Sequence, residues 1–323
     1  LLYEISSPAY VNPDVVSHFD TLKIEELEKD KVHVSGCRGS SPPKDHKVCI
    51  NLAGGFRNGM EIILTGLDIE EKAKVFTEVL FNSVGGQEQF DEVFIELQRT
   101  DKENPTTNEQ AMASLVISVK SSNQELVGRL FSAKIIELAL ANIPGFFAES
   151  GPKSSGPVII YWPALVDSKY ITEKVHIDGK EIEVMPTSQL DYEEIYYQRE
   201  PILIDDVKLS DQKEIYFGDL FGTRSGDKGG CANLGVWAKN NLSYSFLYNF
   251  LTIEKLKELL PDLSEYKIER FELPNINSLN FYIHDILEDG VSSNNRKDGQ
   301  AKSLGEYLRV KKILVPDSIL LET

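Results

Sequence analysis

The sequence is poor in the residues that build metal sites and disulfide frameworks. It has three cysteines in 323 residues, and Cys37, Cys49 and Cys231 are widely spaced and odd in number, which excludes a regular disulfide framework or zinc pattern. The five histidines show no HExxH or other ligand spacing. We therefore predict no metal site, and a reducing, cytoplasmic compartment.

Basic residues and long apolar runs are also scarce. The chain has 34 Lys and Arg against 51 Asp and Glu, a formal charge of -17, with no segregated basic stretch, so a nucleic-acid partner would be repelled. A membrane-spanning helix needs roughly 20 apolar residues. The longest candidate, at 135–147, is interrupted by Glu137, Asn142 and Pro144. We expect neither nucleic acid nor membrane as a partner.

What the sequence does contain is enough apolar material for two domains. Apolar residues make up 41% of the chain and charged residues 26%, and 323 residues exceed an ordinary single core. The chain begins at Leu1 without an initiator Met, a basic region or a signal-like apolar stretch. We expect it to be part of a longer protein.

The first half alternates between strand-like and helix-like periodicity. Short strands are predicted at 32–35 and 47–53, with turns at 38–43 and 54–59. Asp68 and Ser122 are candidate helix N-caps, and Gly85-Gly86 is a candidate C-cap. The elements that follow the second turn are a strand at 60–65, a helix from 68 to about 84, strands at 93–97 and 113–119, a helix from 122 to about 142 and a strand at 157–162. This order is typical of a ferredoxin-like sandwich.

The second half repeats a mixed pattern after a carboxylate-rich segment without clear period. It is predicted to form strands at 214–220, 232–238, 268–273, 279–284 and 312–315, a helix pair across 242–260 that breaks at the N-cap Thr252, and a helix at 303–309. The predicted fold class is therefore α+β: two ferredoxin-like α/β sandwich domains joined by an acidic segment. We place the domains at 1–186 and 213–323 and the linker at 187–212.

The most informative feature is a glycine-rich charged stretch, Thr-Arg-Ser-Gly-Asp-Lys-Gly-Gly at 223–230, predicted as a loop between two strands. Its glycines allow positive φ and close approach of a ligand to backbone N–H groups, as in anion nests. Arg224 offers a planar fork for carboxylate or phosphate, and Lys228 adds a mobile charge. Asp227 could orient either cation, coordinate a cation or act as a general acid/base.

A purely structural interpretation of the same stretch has the same weight as the anion-binding one. A tight hairpin needs glycines for its geometry, and the Arg, Asp and Lys could form an internal ion-pair cluster or face water. The spacing fits neither a Walker loop nor a GxGxxG fingerprint. Ser225 has no evident His partner for nucleophilic chemistry. Cys231 is expected to fill a small buried apolar position, and His284 to be packed or hydrogen-bonded.

Several motifs resemble the acyclic terpene utilisation A family. They are Arg224-Ser-Gly-Asp-Lys-Gly-Gly-Cys-Ala-Asn-Leu-Gly235, Glu272-Leu-Pro-Asn275, Leu279-Asn-Phe281, Asp289-Gly-Val291, Asp298-Gly-Gln300, Leu304-Gly-Glu-Tyr-Leu308, Leu1-Leu-Tyr-Glu-Ile5, Pro13-Asp-Val-Val16 and Val34-Ser-Gly-Cys-Arg-Gly39. The resemblance implies that 1–186 is the later part of the family's N-terminal domain and 213–323 its C-terminal ferredoxin-fold domain. Cys231 and Gln300 depart from the family's usual residues. The family is linked to bacterial breakdown of branched isoprenoid acids through coenzyme A thioesters.

These observations lead to one leading functional hypothesis and one rival. The leading one is a component, expected to be an enzyme, of acyl-thioester catabolism whose reaction is unassigned, with a coenzyme A thioester as substrate and no evident cofactor. Asp227 and Lys228 are its predicted catalytic residues. The predicted substrate-binding residues are Arg224, Ser225, Gly226, Gly229, Gly230, Asn233, Asn275 and Asn280. The rival is a non-catalytic ligand-binding or homo-oligomeric assembly module in which the glycine-rich stretch is structural.

Overall fold

A computed structural model describes residues 2–141, 143–185 and 211–321. Helices and strands are mixed along the chain. The strands are β1 (Ala9–Val11), β2 (Val16–His18), β3 (Lys23–Glu28), β4 (Lys31–Ser35), β5 (Arg38–Ser40), β6 (Asp45–Thr65), β7 (Glu92–Gln98), β8 (Met112–Ser121), β9 (Phe146–Ala148), β10 (Gly156–Asp167), β11 (Glu173–Ile177), β12 (Lys180–Val184), β13 (Gln212–Tyr216), β14 (Gly222–Lys228), β15 (Cys231–Trp237), β16 (Ile268–Leu273), β17 (Ser278–Ile283) and β18 (Lys312–Pro316). The α-helices are α1 (Ile69–Ser83), α2 (Phe131–Leu138), α3 (Phe217–Leu220), α4 (Asn241–Phe250), α5 (Ile253–Leu259), α6 (Leu304–Arg309) and α7 (Asp317–Leu320).

The chain divides into two compact units. The first combines Leu1–Ile50 with Tyr161–Thr323, and the second is Asn51–Ile160. Of the predicted linker at 187–212, residues 187–210 lie outside the described residues, and Gln212 is the first residue of β13. Among the described residues, no helix has both the length and the apolar character that crossing a bilayer requires.

The second unit contains the predicted order of strand, helix, strand, strand, helix and strand. Its sheet has the order β10-β6-β8-β7, and β9 also pairs with β6. The buried side chains of β8 alternate along the strand, as Ala113, Leu115, Ile117 and Val119, because one face of the sheet is covered by helices α1 and α2. These residues form one core with Phe76 and other apolar side chains of the helices.

The predicted turn at 54–59 is wrong, since β6 runs without interruption from Asp45 to Thr65. Its glycines serve close strand packing instead. A Cβ atom at Gly54 would lie 2.8 Å from Ile160, and one at Gly55, where φ is +85°, would lie 2.8 Å from the Ser121 carbonyl oxygen. Glycine in a strand marks either a turn or a close approach, and the sequence alone does not separate the two.

Of the two predicted N-caps in this unit, Asp68 occupies the N-cap position of α1, whereas Ser122 caps no helix. Asp68 precedes α1 but has a left-handed backbone and no capping hydrogen bond from its side chain. The helix expected to begin at Ser122 starts with a π-helical turn at Leu126–Leu130 and continues as α2 to Leu138. The Ser122 N–H instead donates to Asp91 Oδ2 at 2.6 Å. The predicted end near residue 142 falls at a position that is not described.

In the first unit, a four-stranded antiparallel sheet has the order β14-β15-β17-β16. Helices α4 to α7 and the core-facing side chains of β15 and β17 form a large buried cluster that includes Leu234 and Phe281. The predicted helix break is confirmed, because the Thr252 side chain accepts a hydrogen bond from the Lys255 N–H at the start of α5.

The ends of this region differ from prediction. The strand expected at 214–220 is β13 followed by the short helix α3, and the last strand, β18, pairs with β13 rather than with the four-stranded sheet. Aromatic residues at this junction match a strand in composition. Phe217 and Leu220 are nevertheless buried from a helical turn.

The first unit also contains the three-stranded sheet β1-β2-β5 and two hairpins. β3 pairs with β4, and β11 pairs with β12. Each hairpin forms a separate two-stranded sheet, and no residue of either hairpin is fully buried. Two-stranded sheets are marginally stable in water unless another surface covers them.

Candidate functional site

The glycine-rich stretch is an edge strand and a hairpin turn, so its prediction as a loop is wrong. β14 and β15 are joined by Gly229 and Gly230, and Lys228 pairs with Cys231 across the turn. Gly229 has a φ of +69°, which glycine adopts without strain. Successive N–H groups of an extended strand point in opposite directions, whereas an anion nest needs them to converge.

The strand register divides the predicted site residues between two faces. Arg224 lies opposite Gly235, and Gly226 lies opposite Asn233. Asn280 of β17 also pairs with Gly235, which places it on the same face. Ser225 and Asp227 occupy the alternating positions of β14 and therefore belong to the opposite face.

The N-terminal segment Leu2–Ser6 lies on the face that carries Gly226, Asn233 and Asn280. Asn280 Nδ2 donates to the carbonyl oxygens of Ile5 and Ser6, both at 3.1 Å. Asn233 Nδ2 donates to the Leu2 carbonyl and, at 3.4 Å, to Asn280 Oδ1. Both asparagine side chains are completely buried. Their amides therefore hold a backbone segment more than 200 residues away along the chain.

Lys228 contacts the same segment. Its Nζ donates to the Tyr3 carbonyl at 2.7 Å and to the Asp227 carbonyl at 3.0 Å, and it lies 5.2 Å from the centre of the Tyr3 ring. Burial lowers the pKa of the Lys228 ammonium, while the charges of Glu4 and Asp227 oppose that shift. No described carboxylate forms an ion pair with Lys228. Its contact with Asp227 is a hydrogen bond to the main-chain carbonyl, not to the carboxylate.

The glycines of the motif make room for neighbouring parts of the chain. A Cβ atom at Gly226 would overlap the Tyr3 ring, and one at Gly235 would lie 2.5 Å from Leu2 Cβ. At Gly229 it would lie 2.8 Å from Tyr161, and at Gly230 it would overlap the Glu288 carbonyl. Close packing within the chain explains all four positions without a ligand.

Asn275 makes a second contact of the same kind. It lies in the short turn between β16 and β17, and its Nδ2 donates to the carbonyl oxygens of Phe19 and Leu22 at 3.0 and 2.9 Å. Together, Lys228, Asn233, Asn275 and Asn280 donate to six carbonyls of residues 2–22. We call these four side chains the carbonyl clasp.

Next to the clasp lies an open groove of about 720 Å³ that contains Arg224 and Ser225. Its apolar wall consists of Leu2, Ile24, Trp237 and Ile276, and the other lining residues are Tyr3, Glu4, Ser278 and Lys302. Of the predicted site residues, only Arg224 and Ser225 line it. Sequence reasoning missed Lys302 and the apolar wall, since these residues are distant along the chain and belong to no charged motif.

The groove lining contains two basic side chains and one acidic side chain. The exposed guanidinium of Arg224 has no ion-pair or hydrogen-bond partner among the described residues, and the same holds for the ammonium group of Lys302. Ser225 is buried, and its Oγ accepts a hydrogen bond from the Gly305 N–H at 3.0 Å. Glu4 is the acidic member of the lining. In an acidic chain, two unpaired cations beside an apolar wall suit a ligand with an anionic end and a hydrocarbon body.

Two further predictions concern the far end of the sheet. His284 is hydrogen-bonded, as predicted, with Nε2 at 2.6 Å from Glu269 Oε1, and that contact lowers the pKa of Glu269. The Cys231 Sγ accepts from the Asp285 N–H at 3.5 Å and is half-buried rather than fully buried. Burial, reinforced by Cys231, raises the pKa of Tyr282.

Comparison with known families matches almost the whole chain. Residues 1–177 match the acyclic terpene utilisation family protein AtuA, and residues 216–314 match the AtuA ferredoxin-like domain. No curated protein and no solved structure matches the chain. The first match alone covers more than half of the 323 residues. The chain therefore belongs to the acyclic terpene utilisation AtuA family.

Proposed function

We propose that the groove binds an acyclic, branched acyl compound, as the free carboxylate or as its coenzyme A thioester, and that the protein acts in the catabolism of such compounds. The observation that carries this proposal is the guanidinium of Arg224, which has no partner within the described part of the chain and shares the groove with Lys302 and an apolar wall. Arginine and lysine take the carboxylate or a coenzyme phosphate, and the wall takes the hydrocarbon.

The proposal is supported by the presence of both basic and apolar residues in the groove, which can bind different parts of one ligand. A guanidinium binds carboxylate or phosphate through two parallel hydrogen bonds, which orients the anionic end. Each methylene group that leaves water for an apolar surface adds about 0.8 kcal/mol. That surface is formed by Trp237, Ile24 and Ile276. Branched chains can bind to it because apolar contacts require no particular direction.

Calorimetry with defined acyl compounds tests this proposal. The probes are 3,7-dimethyloctanoate and its coenzyme A thioester, with 3,7-dimethyloctanol as the uncharged analogue. A hydrogen bond to a charged group contributes about 1.5–3 kcal/mol, so Arg224→Gln is expected to weaken binding of the anions by roughly 10- to 100-fold. Lys302→Gln should weaken binding less, because its ammonium is a solvated point charge.

Two matched substitutions control for net charge. Arg129→Gln and Lys239→Gln remove the same charges from exposed positions outside the groove and should leave both affinities unchanged. Equal loss of binding in the control and groove variants would contradict the proposal. Equal affinity for the anions and for the alcohol would contradict it as well.

The predicted catalytic roles of Asp227 and Lys228 stay predictions. In our proposal the Lys228 ammonium serves the carbonyl clasp, and no reaction type is assigned. We also infer that both sheets with their helices are ferredoxin-like sandwiches. The strand order β10-β6-β8-β7 supports this in residues 51–160, and the ferredoxin-like family match supports it in residues 216–314.

One observation favours the rival function, a homo-oligomeric assembly module. In the hairpin β11–β12, Val175 lies opposite Ile182 on a face whose apolar side chains are about half exposed. The other face is charged, and Lys174 Nζ lies 2.5 Å from Glu181 Oε1. If a second copy covers the apolar face, Val175→Ser with Ile182→Ser will lower the molar mass measured by light scattering. An unchanged mass would contradict this assignment.

A further inference from the structure

The hairpin β3–β4 has two chemically distinct faces. Ile24 pairs with Val34, and Glu26 pairs with Val32, so these four side chains share one face. Lys23, Glu25, His33 and Ser35 occupy the other face. The three apolar side chains are strongly exposed, with Ile24 at 48%, Val34 at 52% and Val32 at 60%. We call Ile24, Val34 and Val32 the apolar strip.

The apolar strip begins inside the groove. Ile24 belongs to the groove wall together with Arg224 and Lys302, whereas Val34 and Val32 lie outside it. Residues in a strand are about 3.3 Å apart, so the strip continues for roughly 7 Å from the Ile24–Val34 pair to the Glu26–Val32 pair. A surface that is cationic at one end and apolar at the other is complementary to an amphiphile with one anionic end.

We propose that the apolar strip binds the distal hydrocarbon of a long acyl anion whose charged end is held by Arg224 and Lys302. The preferred ligands are then branched acyl chains longer than ten carbons. This inference rests on the proposed function of the groove. Glu26 lies on the same face as the strip and disfavours a negative charge at the far end of the ligand, so the ligand class carries its negative charge at one end only.

A chain-length series measured by calorimetry tests the inference. The probes are 3-methylbutanoate, 3,7-dimethyloctanoate and 3,7,11-trimethyldodecanoate, each below its micelle concentration. If the strip removes three to four methylene groups of the ligand from water, the affinity should rise more than tenfold, since each buried CH₂ raises it about fourfold. We expect the C15 acid to bind at least tenfold more tightly than the C10 acid. Val32→Ser with Val34→Ser should remove that gain and leave the C5 affinity unchanged.

The chain offers a matched control on helix α1, which has no proposed role in binding or assembly. Val75→Ser with Val79→Ser makes the same chemical change at two half-exposed positions, and it should leave the whole series unchanged. Circular dichroism and light scattering on each variant report its fold and mass. A mass change caused by Val32→Ser with Val34→Ser would assign the strip to a second copy and overturn the inference.

The two proposals fail in different ways. If no acid in the series binds with dependence on Arg224, the proposed function fails. If the C5 and C10 acids bind through Arg224 and the C15 acid gains nothing, only the role of the apolar strip fails. Persistence of the C15 gain in the Val32→Ser, Val34→Ser variant would also overturn that role.

Discussion

The side-chain amide of Asn280 is the most informative single group in the carbonyl clasp. It is completely buried and donates to the Ile5 and Ser6 carbonyls at 3.1 Å each. Asn280→Ala removes both donors. Each of the two lost hydrogen bonds contributes about 0.5–1.5 kcal/mol, and leaving the carbonyls without a donor adds about 1–3 kcal/mol, so the free energy of unfolding should fall by about 2–6 kcal/mol.

Trp237 provides a local probe for this loss. It packs against the small cluster of Leu2, Ile5 and Leu273, which is where the N-terminal segment meets the sheet. The sequence has two tryptophans, and the other, Trp162, is 57% exposed. Urea unfolding followed by fluorescence in a Trp162→Phe background therefore isolates Trp237.

Asn104→Ala is the matched control, since Asn104 is exposed and belongs to no clasp. We expect its urea midpoint to equal that of the parent chain and the midpoint of Asn280→Ala to be clearly lower. If Asn280→Ala unfolds within about 0.5 kcal/mol of Asn104→Ala, the size of a neutral surface change, the clasp contributes nothing measurable and the reasoning is refuted.

Three further predictions concern β14 and the turn that follows it. Gly226→Ala should lower the free energy of unfolding by about 1–3 kcal/mol through overpacking against the Tyr3 ring. Gly151→Ala is the control and should leave the free energy of unfolding unchanged, because its Cβ would meet open space. If Gly226→Ala costs as much in a Tyr3→Ala background, contact with the Tyr3 ring is not the cause of its effect. Gly229→Ala should lower the melting temperature, because its Cβ would lie 2.8 Å from Tyr161 at a φ of +69°; an unchanged value would contradict that. Burial lowers the pKa of Lys228 from its usual 10.5, so the unfolded chain binds more protons between the lowered pKa and 10.5. Stability relative to Lys228→Met should rise with pH across that window, and a fall would contradict the shift.

The periodicity of the sequence correctly predicted those helices and strands whose structure is determined by residues within the same segment. The alternating apolar side chains of β8 and the cap at Thr252 were predicted because one buried face and one side-chain hydrogen bond suffice to produce them. The turn predicted at 54–59 was wrong because Gly54 and Gly55 are required by β10 and β8. Contacts of that kind depend on residues far along the chain, which a local pattern does not contain.

The same limit explains the partial success at the candidate site. The charged, glycine-rich motif led directly to Arg224, which lines the groove. It also led to Lys228 and Asn233, and the separate motif Leu279-Asn-Phe281 led to Asn280; the donors of all three bind carbonyls of residues 2–6 instead. Polar donors beside glycines suit a ligand and a backbone segment equally well. Lys302 and Ile24 reach the groove through the fold alone.

The central claim is that Arg224 and the groove hold the anionic end of an acyl compound, and its most direct test is a crystal structure with 3,7-dimethyloctanoate at saturating concentration. The account predicts ligand density in the groove, with carboxylate oxygens about 2.7–2.9 Å from the Arg224 guanidinium nitrogens and the chain against Trp237 and Ile24. An empty groove at saturation, or a carboxylate bound elsewhere with Arg224 facing water, would contradict it.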